Sequence, residues 1–508
     1  MTHPARHGDA GGGAPGATVA VIGGGIAGLS AAWTLTSVAP ETHVVVLESD
    51  DRLGGKILTG TFGGRAVELG PDAFLARRPE AVDLCRELGL GDELVSPGSR
   101  RAYVWARGKL RPLPTGLALG VPTRWGPLAR SGIVSPWGMA RPTLDALGWP
   151  TSRGAEGRGP RDRPVAAITR RRLGREVTAG LVDPLIGGIH AGDTTQMSAA
   201  AVFPALLAAE GRRGSLMRAL RAGTPSPSPT IGQPPGPDGQ PPVFHTVRGG
   251  LSRMVDALAR ALGDRGVEVR LGARVDRLEL RRVDGNEAVL HEPGETHWVL
   301  HTPQGTVVAD AVVIATPAPT AATLLGSVDT TAAAMVGAIE YADVTLVTLR
   351  FPEDSVDHPL EGTGFLVPAT SGCLTTACTW LSSKWPDLQR PGDVLLRAST
   401  GRFGDDRPTR MADAAIVGQV LRELGPMLGL RSPATEATVT RWTGAFPQYA
   451  VGHPQRVSAI EEAVARLPAL ALAGAAYHGV GIPACIASGR DAAAAVTGRP
   501  AVVPHVTR

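Results

Sequence analysis

The stretch VAVIGGGIAGLSAAWTL, residues 19–35, limits the possible folds more than any other part of the chain, because all seventeen residues are uncharged. Such a run could form a membrane helix, but Gly23, Gly24, Gly25 and Gly28 cluster near its middle, where they would weaken a continuous helix. The pattern predicts instead a buried strand at 19–22, a glycine turn, and a helix of alanine and leucine from residue 26. This order of elements is typical of a doubly wound α/β fold.

Gly23, Gly25 and Gly28 have the spacing of the GxGxxG dinucleotide fingerprint. These glycines permit a tight turn, a close approach of backbone to a pyrophosphate, and packing of the helix on the strand. The free N–H groups and the positive dipole end at the helix start favour the phosphate charge. A second apolar run, HVVVLES at 43–49, contains Glu48 at the position where an acid bonds a ribose. The expected contacts are Gly23, Gly24, Gly25, Ile26, Ala27, Gly28, Glu48 and Ser49.

Further glycine segments favour a flavin dinucleotide over a nicotinamide. DRLGGKILT at 51–59 adds a cation and a second glycine turn after the ribose acid. ELGPDAF at 68–74 fits the same plan, because Gly70 and Pro71 would bring backbone close to the flavin. Near the other end, LALAGAAYHGVGIPACIASGRDAAAAV at 470–496 repeats the order strand, turn, helix, and its helix dipole would stabilise a reduced flavin ring. The arrangement resembles the FAD oxidases that include the amine oxidases. It adds Arg52, Gly54, Gly55, Lys56, Gly70, Pro71, Val480, Gly481 and Ile482 to the expected cofactor contacts.

Composition narrows the class of protein. A chain of 508 residues predicts roughly two to three domains. Its 51 basic and 47 acidic residues form no concentrated basic stripe, so no nucleic-acid partner is expected. The four cysteines (Cys85, Cys373, Cys378, Cys485) have neither the number for a disulfide framework nor a metal-binding spacing. We therefore expect no metal site and a reducing compartment, the cytoplasm.

Three segments are too polar or too rich in proline and glycine to bury an apolar face. They are the flexible tail 1–17, the polar insertion 151–164 and the Pro/Gly-rich loop 221–242, and residues 501–508 are expected to form a second tail. The first tail lacks the apolar centre of a secretory signal.

The middle of the chain resembles a narrower family. RRLGREVTAGLVDPLIGGIHAGDTTQMSAAAVFPAL at 171–206, FHTVRGGLSRMVDAL at 244–258 and RWTGAFPQYAVGH at 441–453 are similar to blocks of the oxygen-dependent porphyrinogen oxidases of haem biosynthesis. GFLVPA at 364–369, TWLSSKWP at 379–386 and LLRASTGRFGDD at 395–406 show the same similarity. It extends from about residue 18 to 497 and leaves out the two insertions and the tails.

This resemblance implies an α/β fold with a discontinuous Rossmann-type FAD-binding domain, an inserted mixed-sheet substrate domain and a helical domain. The expected FAD-binding segments are 18–75, 244–318 and 439–500. The expected substrate-domain segments are 76–86, 204–243 and 319–438, and the helical domain is 87–203.

The resemblance also implies an activity. Hydrides pass from a porphyrinogen to FAD in three successive two-electron steps, and oxygen takes the electrons with release of hydrogen peroxide. Coproporphyrinogen III, with four carboxylates, is the expected substrate because the soluble bacterial branch of the family that the chain resembles is associated with it, and the chain is rich in arginine. Protoporphyrinogen IX, with two carboxylates, is the alternative. An amine or polyene oxidase and a flavin-free binding protein of the same fold are further alternatives. Hand-over of the product to a metal-inserting enzyme of the haem pathway is also expected.

Binding residues for the macrocycle follow from the resemblance. The protein mainly orients a flat apolar ring against the flavin, so no dedicated acid or base is expected. Arg101 matches a substrate-facing arginine that would pair with a propionate, with a one-residue ambiguity to Arg100. Gly188 matches a glycine beside flavin and substrate, and Leu366 matches an apolar wall of the pocket.

Three further residues are weaker expectations. Trp380 is a second candidate for the pocket wall, and Val275 would meet the adenine through its backbone. His190 stands where relatives usually carry an aromatic residue. It is either a polar substrate contact or a benign replacement.

The segment 114–139, within the expected helical domain, suits peripheral contact with a membrane surface. It contains Trp125, Trp137 and scattered arginines, which favour an interfacial position. Ordinary packing of these tryptophans is the alternative.

Overall fold

The computed structural model describes residues 16–149, 162–212, 214–223, 241–282 and 296–499. Almost all of the two expected tails, and most of the expected loops 151–164 and 221–242, lie outside these residues.

The strands are β1 Thr18–Ile22, β2 His43–Leu47, β3 Thr59–Phe62, β4 Arg65–Glu68, β5 Phe74–Leu75, β6 Leu94–Val95, β7 Tyr103–Ala106, β8 Lys109–Pro112, β9 Leu117–Ala118, β10 Val121–Pro122, β11 Phe244–Val247, β12 Glu268–Arg270, β13 Arg277–Arg282, β14 Thr296–Thr302, β15 Gly305–Ala309, β16 Ala311–Ile314, β17 Tyr341–Pro352, β18 Gly364–Leu366, β19 Thr375–Trp380, β20 Asp393–Thr400, β21 Glu436–Pro447 and β22 Leu470–Leu472. The α-helices are α1 Ile26–Val38, α2 Pro79–Glu87, α3 Trp125–Ser131, α4 Ala140–Leu147, α5 Val165–Leu173, α6 Arg175–Val177, α7 Gly188–His190, α8 Ala199–Val202, α9 Pro204–Glu210, α10 Leu216–Gly223, α11 Ser252–Asp264, α12 Ala318–Leu325, α13 Thr330–Gly337, α14 Leu381–Lys384, α15 Arg407–Arg410, α16 Asp413–Leu428, α17 His453–Val464 and α18 Ile482–Thr497. A π-helix covers Thr178–Gly187.

A five-stranded parallel sheet joins segments from both ends and the middle of the chain. Its order is β12-β2-β1-β16-β22, and every neighbouring pair is parallel. β1 and β16 are buried on both faces, as expected for a parallel sheet covered by helices. The two units of strand, glycine turn and helix, β1–α1 and β22–α18, therefore flank β16.

Helices α1 and α18 touch backbone to backbone. A Cβ added at Gly489 of α18 would lie 2.1 Å from the carbonyl oxygen of Ala27 in α1. The first ten residues of α1 are buried, and Ile26, Ile482 and Ile486 pack in the same apolar cluster. The contact joins the start of α1 to the middle of α18.

A seven-stranded mixed sheet forms a second layer, with the order β21-β17-β20-β19-β18-β7-β8. Its neighbours are antiparallel except for β7 and β18. Phe351 and Trp380 of this sheet are fully buried, and α16 packs into the same apolar cluster through Ile416, Val420 and Leu424.

The helical region is smaller at its start and larger at its end than the sequence indicated. β7 and β8 fall within the expected helical segment 87–203, but they extend the mixed sheet because Tyr103–Ala106 alternates half-buried and buried positions. α9 and α10 fall within the expected substrate segment 204–243, but Leu206, Leu216 and Leu220 complete the apolar core of the helical region. Among the described residues, none of the helices has the length and apolar character to cross a bilayer.

A buried ionic cluster forms around Asp72, beside the mixed sheet. The carboxylate of Asp72 accepts a hydrogen bond from Lys384 at 2.7 Å and lies 3.3 Å from the guanidinium of Arg397. Burial opposes ionisation, but the two cations hold the pKa of Asp72 well below its usual range. Arg397 also donates to the carbonyl oxygens of Glu68 and Gly70. The segment 68–72 is thereby bound to the mixed sheet.

Replacing Gly489 with alanine should lower stability and FAD retention, because the added methyl group forces α18 away from α1. We expect a loss of about 2 kcal/mol in the free energy of unfolding, measured by denaturant titration, together with a lower flavin content of the purified protein. Gly418→Ala in α16 is the matched control. A Cβ there meets only the end of the flexible Arg422 side chain, at 3.5 Å, and alanine is the better helix former. Equal losses in the two variants would contradict the proposed contact.

Candidate functional site

The turn between β1 and α1, residues 23–25, is called here the N-terminal turn. Gly23 has a φ of +106°, which an L side chain rarely adopts, and its N–H donates to the carbonyl of Leu47 at 2.8 Å. A Cβ at Gly28 would lie 1.9 Å from the carbonyl oxygen of Gly23, so helix and turn are in direct contact. Open space surrounds a Cβ position at Gly25, as a close approach of ligand to backbone requires.

Glu48 connects the end of β2 to this turn. Its Oε2 accepts from the N–H of Gly24 at 2.6 Å, and its Oε1 accepts from the hydroxyl of Ser49 at 3.0 Å. The carbonyl of Glu48 accepts from the N–H of Ala273 at 2.7 Å, which places buried Val275 just beyond the end of β2. The two residues predicted for the ribose and the adenine are thus neighbours.

The segment 52–57 lies directly on the N-terminal turn. The N–H of Gly54 donates to the carbonyl of Gly24 at 2.8 Å, and Gly54 and Gly25 form a parallel bridge. The guanidinium of Arg52 bonds the carbonyls of Leu53, Gly55 and Ile57. Arg52 therefore fixes the shape of this segment.

Lys56 supplies a second cation to the segment 52–57. The side chain is half-buried, and burial lowers its pKa, with a small opposing effect from nearby Cys485 in the first turn of α18. None of the described carboxylates forms an ion pair with it at 4 Å or less. A desolvated cation without a protein counterion suits an anionic group such as a pyrophosphate.

The ELGP segment lies against Lys56. A Cβ at Gly70 would lie 2.1 Å from the carbonyl oxygen of Lys56, and Pro71 is half-buried. Glu68, two residues earlier, accepts from the hydroxyl of Thr59 at 3.0 Å and from the N–H of Leu251. Burial raises the pKa of Glu68 to about 7, so part of the population is uncharged at neutral pH.

Residues 473–481, between β22 and α18, form the C-terminal turn. Gly481 caps the start of α18 and is exposed, Val480 is half-buried, and Ile482 is buried against α1. Both turns follow the carboxyl ends of strands in one parallel sheet, the edge where such sheets bind ligands. The open Gly25, the N–H groups at two helix starts and the unpaired Lys56 fit a dinucleotide with an electron-accepting ring.

The predicted macrocycle residues Gly188 and Leu366 are also adjacent. A Cβ at Gly188 would lie 3.7 Å from Cδ2 of Leu366. Gly188 follows the π-helix Thr178–Gly187, which contains Pro184. Such wide turns within helices occur frequently at functional sites.

Arg101 lies at the surface and already has a partner. Its guanidinium donates to Glu361 at 2.9 Å, and both side chains are more than half exposed. Together with Arg100, the pair lines a cleft of about 340 Å³. Leu366 pairs with Val104, so Arg101 is roughly 10 Å away along the strand direction.

Trp380 and His190, the two weaker candidates for the substrate pocket, differ in placement. Trp380 is fully buried within the mixed sheet, where it packs against Tyr103 and Phe365, so it does not line a cleft. His190 is half-buried, its ring lies 5.9 Å from that of Tyr449, and burial lowers its pKa to about 4. The imidazole is therefore neutral at pH 7.

Tyr449 and His453 were missed by the residue-level reasoning from sequence. The hydroxyl of Tyr449 donates to the carbonyl of Ala475 at 2.6 Å and accepts from the N–H of Gly479 at 2.8 Å. His453 bonds the carbonyl of Tyr477 at 3.1 Å. Both residues occur in the block RWTGAFPQYAVGH, which carried the resemblance but was assigned no role.

Comparison with known proteins finds one matching family profile and several relatives similar over almost the whole chain. A profile described as flavin containing amine oxidoreductase matches residues 26–497. The chain is 33% identical to a coproporphyrinogen III oxidase of Bacillus subtilis, covering 93% of this chain and 96% of that protein. It is 30% identical to the human protoporphyrinogen oxidase, covering 95% and 99% of the two chains.

Solved structures show the same fold. A crystal structure from Exiguobacterium sp. 255-15, provisionally named a protoporphyrinogen oxidase, has a TM-score of 0.80 at 30% identity and covers 95% of this chain and 99% of that one. A putrescine oxidase at 16% identity, with coverage of 96% and 100%, has a TM-score of 0.64 and shares the fold. With its paired glycine turns at one sheet edge, the chain is an FAD-dependent member of the flavin-containing amine oxidoreductase family.

Proposed function

We propose that this protein oxidises coproporphyrinogen III to coproporphyrin III, with FAD as cofactor, oxygen as electron acceptor and hydrogen peroxide as the reduced product. The observation that carries the proposal is the position of Tyr449. Its ring lies 5.9 Å from that of His190, two residues after Gly188, and its hydroxyl bonds the C-terminal turn. Tyr449 therefore lies between the region expected to meet the macrocycle and the turn expected to meet the flavin.

The names of relatives support the same substrate class. Relatives named coproporphyrinogen III oxidase include those of Bacillus subtilis and, at 34% identity, Propionibacterium freudenreichii. The human relative carries the name protoporphyrinogen oxidase, which keeps protoporphyrinogen IX as the second candidate.

The chain's own residues would bind the cofactor and the macrocycle and orient them toward each other. The N–H groups at the start of α1 and the Lys56 ammonium would hold the pyrophosphate, and Glu48 would accept from the ribose. Bound FAD supplies the two-electron acceptance. Gly188 presents backbone without a side chain to a flat ring, and Leu366 excludes water from that face.

Substrate preference would depend on carboxylate recognition at the cleft of Arg100 and Arg101. Coproporphyrinogen III offers four propionates, and each can pair bidentately with an arginine. The Arg101–Glu361 pair is exposed, and exposed ion pairs contribute at most about 1 kcal/mol. A substrate carboxylate can therefore displace Glu361 at small cost.

The proposal is tested with the purified, FAD-loaded protein. We expect a yellow protein that consumes oxygen and makes coproporphyrinogen III fluorescent at a higher initial rate than protoporphyrinogen IX. Amines and polyenes should not reduce the flavin. A faster rate on protoporphyrinogen IX would make that compound the substrate in place of coproporphyrinogen III. Flavin reduction by an amine alone would contradict the proposed reaction.

Arg101→Ala should raise the KM for coproporphyrinogen III about tenfold while changing kcat little, because it removes binding common to ground and transition states. Arg431→Ala is the control, since Arg431 forms an ion pair with Asp357 of the same 2.9 Å length and similar exposure. Steady-state kinetics would exclude Arg101 as a propionate partner if both variants kept the wild-type KM.

We further propose that the helical region contacts an anionic membrane surface. Trp137 is 90% exposed, and Leu147 and Trp149 are 73% and 63% exposed. Two arginines of this region, Arg130 of α3 and Arg141 of α4, are exposed as well. Aromatic rings among arginines suit the headgroup layer of anionic lipids.

This contact predicts co-sedimentation with phosphatidylglycerol vesicles at low salt, and weaker binding to phosphatidylcholine. The double variant Trp137→Ala, Trp149→Ala should bind several-fold less. Leu271→Ala, which changes an exposed leucine outside the helical region, should bind as the wild type does. Wild-type binding by the double variant would refute the proposed surface.

A further inference from the structure

The segment Gln448–His453 connects the region of Gly188 with the C-terminal turn. On one side, the carbonyl of Tyr449 accepts from the N–H of Ser198 at 2.8 Å, and the side chain of Gln448 donates to the carbonyl of His190 at 3.1 Å. On the other side, Tyr449 and His453 bond the C-terminal turn. Hydrogen bonds therefore link the segment to both candidate binding surfaces.

Three hydrogen bonds from two side chains hold the C-terminal turn. The Tyr449 hydroxyl binds both the carbonyl of Ala475 and the N–H of Gly479, and His453 binds the carbonyl of Tyr477. Because a carbonyl only accepts, Nε2 of His453 carries the hydrogen in this bond. Three alternate residues of one turn are thus fixed by side chains from outside it.

The two side chains also support each other. The rings of Tyr449 and His453 stack at 4.0 Å with an angle of 13°, and the residues are 3% and 2% exposed. Burial lowers the pKa of His453 to about 4, so the ring is neutral and keeps a single N–H at pH 7. Removal of either polar group would leave buried turn atoms without a partner.

The fixed turn leads directly into α18. Gly479 has a φ of +142° and is followed by Val480 and by Gly481, the cap of α18. The N–H groups and dipole end of this helix point where negative charge on a reduced flavin would lie, if the cofactor binds at this edge. A displacement of the turn by a fraction of an ångström would change the stabilisation of that charge.

We propose that Tyr449 and His453 are positioning residues that set the place of the C-terminal turn against the flavin ring and thereby the reduction potential of the bound FAD. The inference rests on the cofactor placement in the proposed function, but not on the identity of the substrate. It assigns to the pair a role in cofactor tuning rather than contact with the reacting atoms.

The test uses the FAD-loaded full-length protein and needs no porphyrinogen. Tyr449→Phe keeps the ring and removes the hydroxyl that bridges Ala475 and Gly479. We expect FAD to bind about tenfold more weakly, and reduced FAD to lose up to tenfold more affinity than oxidised FAD. The latter difference equals a shift of about 30 mV to lower potential for a two-electron couple. The shift is measured by equilibration with reference dyes and absorbance.

Tyr103→Phe is the matched control. The hydroxyl of Tyr103 also donates to a backbone carbonyl, that of Glu361 at 2.9 Å, but it lies in the mixed sheet, outside both glycine turns. This variant should keep the wild-type potential. His453→Phe, which retains an aromatic ring but removes the bond to Tyr477, should move the potential in the same direction as Tyr449→Phe.

Two outcomes would overturn the inference. One is an unchanged potential in Tyr449→Phe and His453→Phe, even with a lower melting temperature, because that result indicates a purely structural role. The other is an equal shift in Tyr103→Phe. A potential shift in a protein that oxidises neither porphyrinogen would support the positioning role and reject the proposed function, so the two failures are distinguishable.

Discussion

The backbone contact between α1 and α18 is the constraint on which the candidate site depends. Gly489 lets α18 approach the carbonyl of Ala27. The two helices come from opposite ends of the chain, and both begin at one edge of the parallel sheet because they follow parallel strands. Each helix start carries free N–H groups and partial positive charge. If the helices stood farther apart, one turn could still bind a phosphate group, but both could not hold the two ends of a single extended cofactor.

The second sheet is positioned relative to this edge by buried polar interactions. Asp72 pairs with Lys384 and Arg397, and the indole N–H of Trp442 donates to the carbonyl of Leu69 at 2.7 Å. These contacts join the ELGP segment to the mixed sheet. Buried charges that satisfy one another specify a relative position more strictly than apolar packing alone, which tolerates sliding.

The surfaces proposed for the flavin and the macrocycle would meet around the segment 448–453. Hydrogen bonds from this segment reach both His190 and the C-terminal turn, and the neutral, stacked rings of Tyr449 and His453 fill the space between. His190 takes part in this aromatic layer through its ring. The hypothesis that it is a benign replacement for an aromatic residue is compatible with this packing, and substrate contact by its ring stays a prediction.

Local patterns in the sequence were sufficient for the glycine turns, the strand before each turn and the fold class, because backbone conformation and apolar periodicity depend on near neighbours. They also predicted Glu48 beside the fingerprint, since a fixed spacing follows from the geometry of one strand–turn–helix unit. Only the tertiary structure decided the partner of Arg101, the burial of Trp380 and the bonds from Tyr449 and His453 to the C-terminal turn. Those features join residues distant in the chain, and their energies arise from desolvation and contact geometry, which no single segment contains.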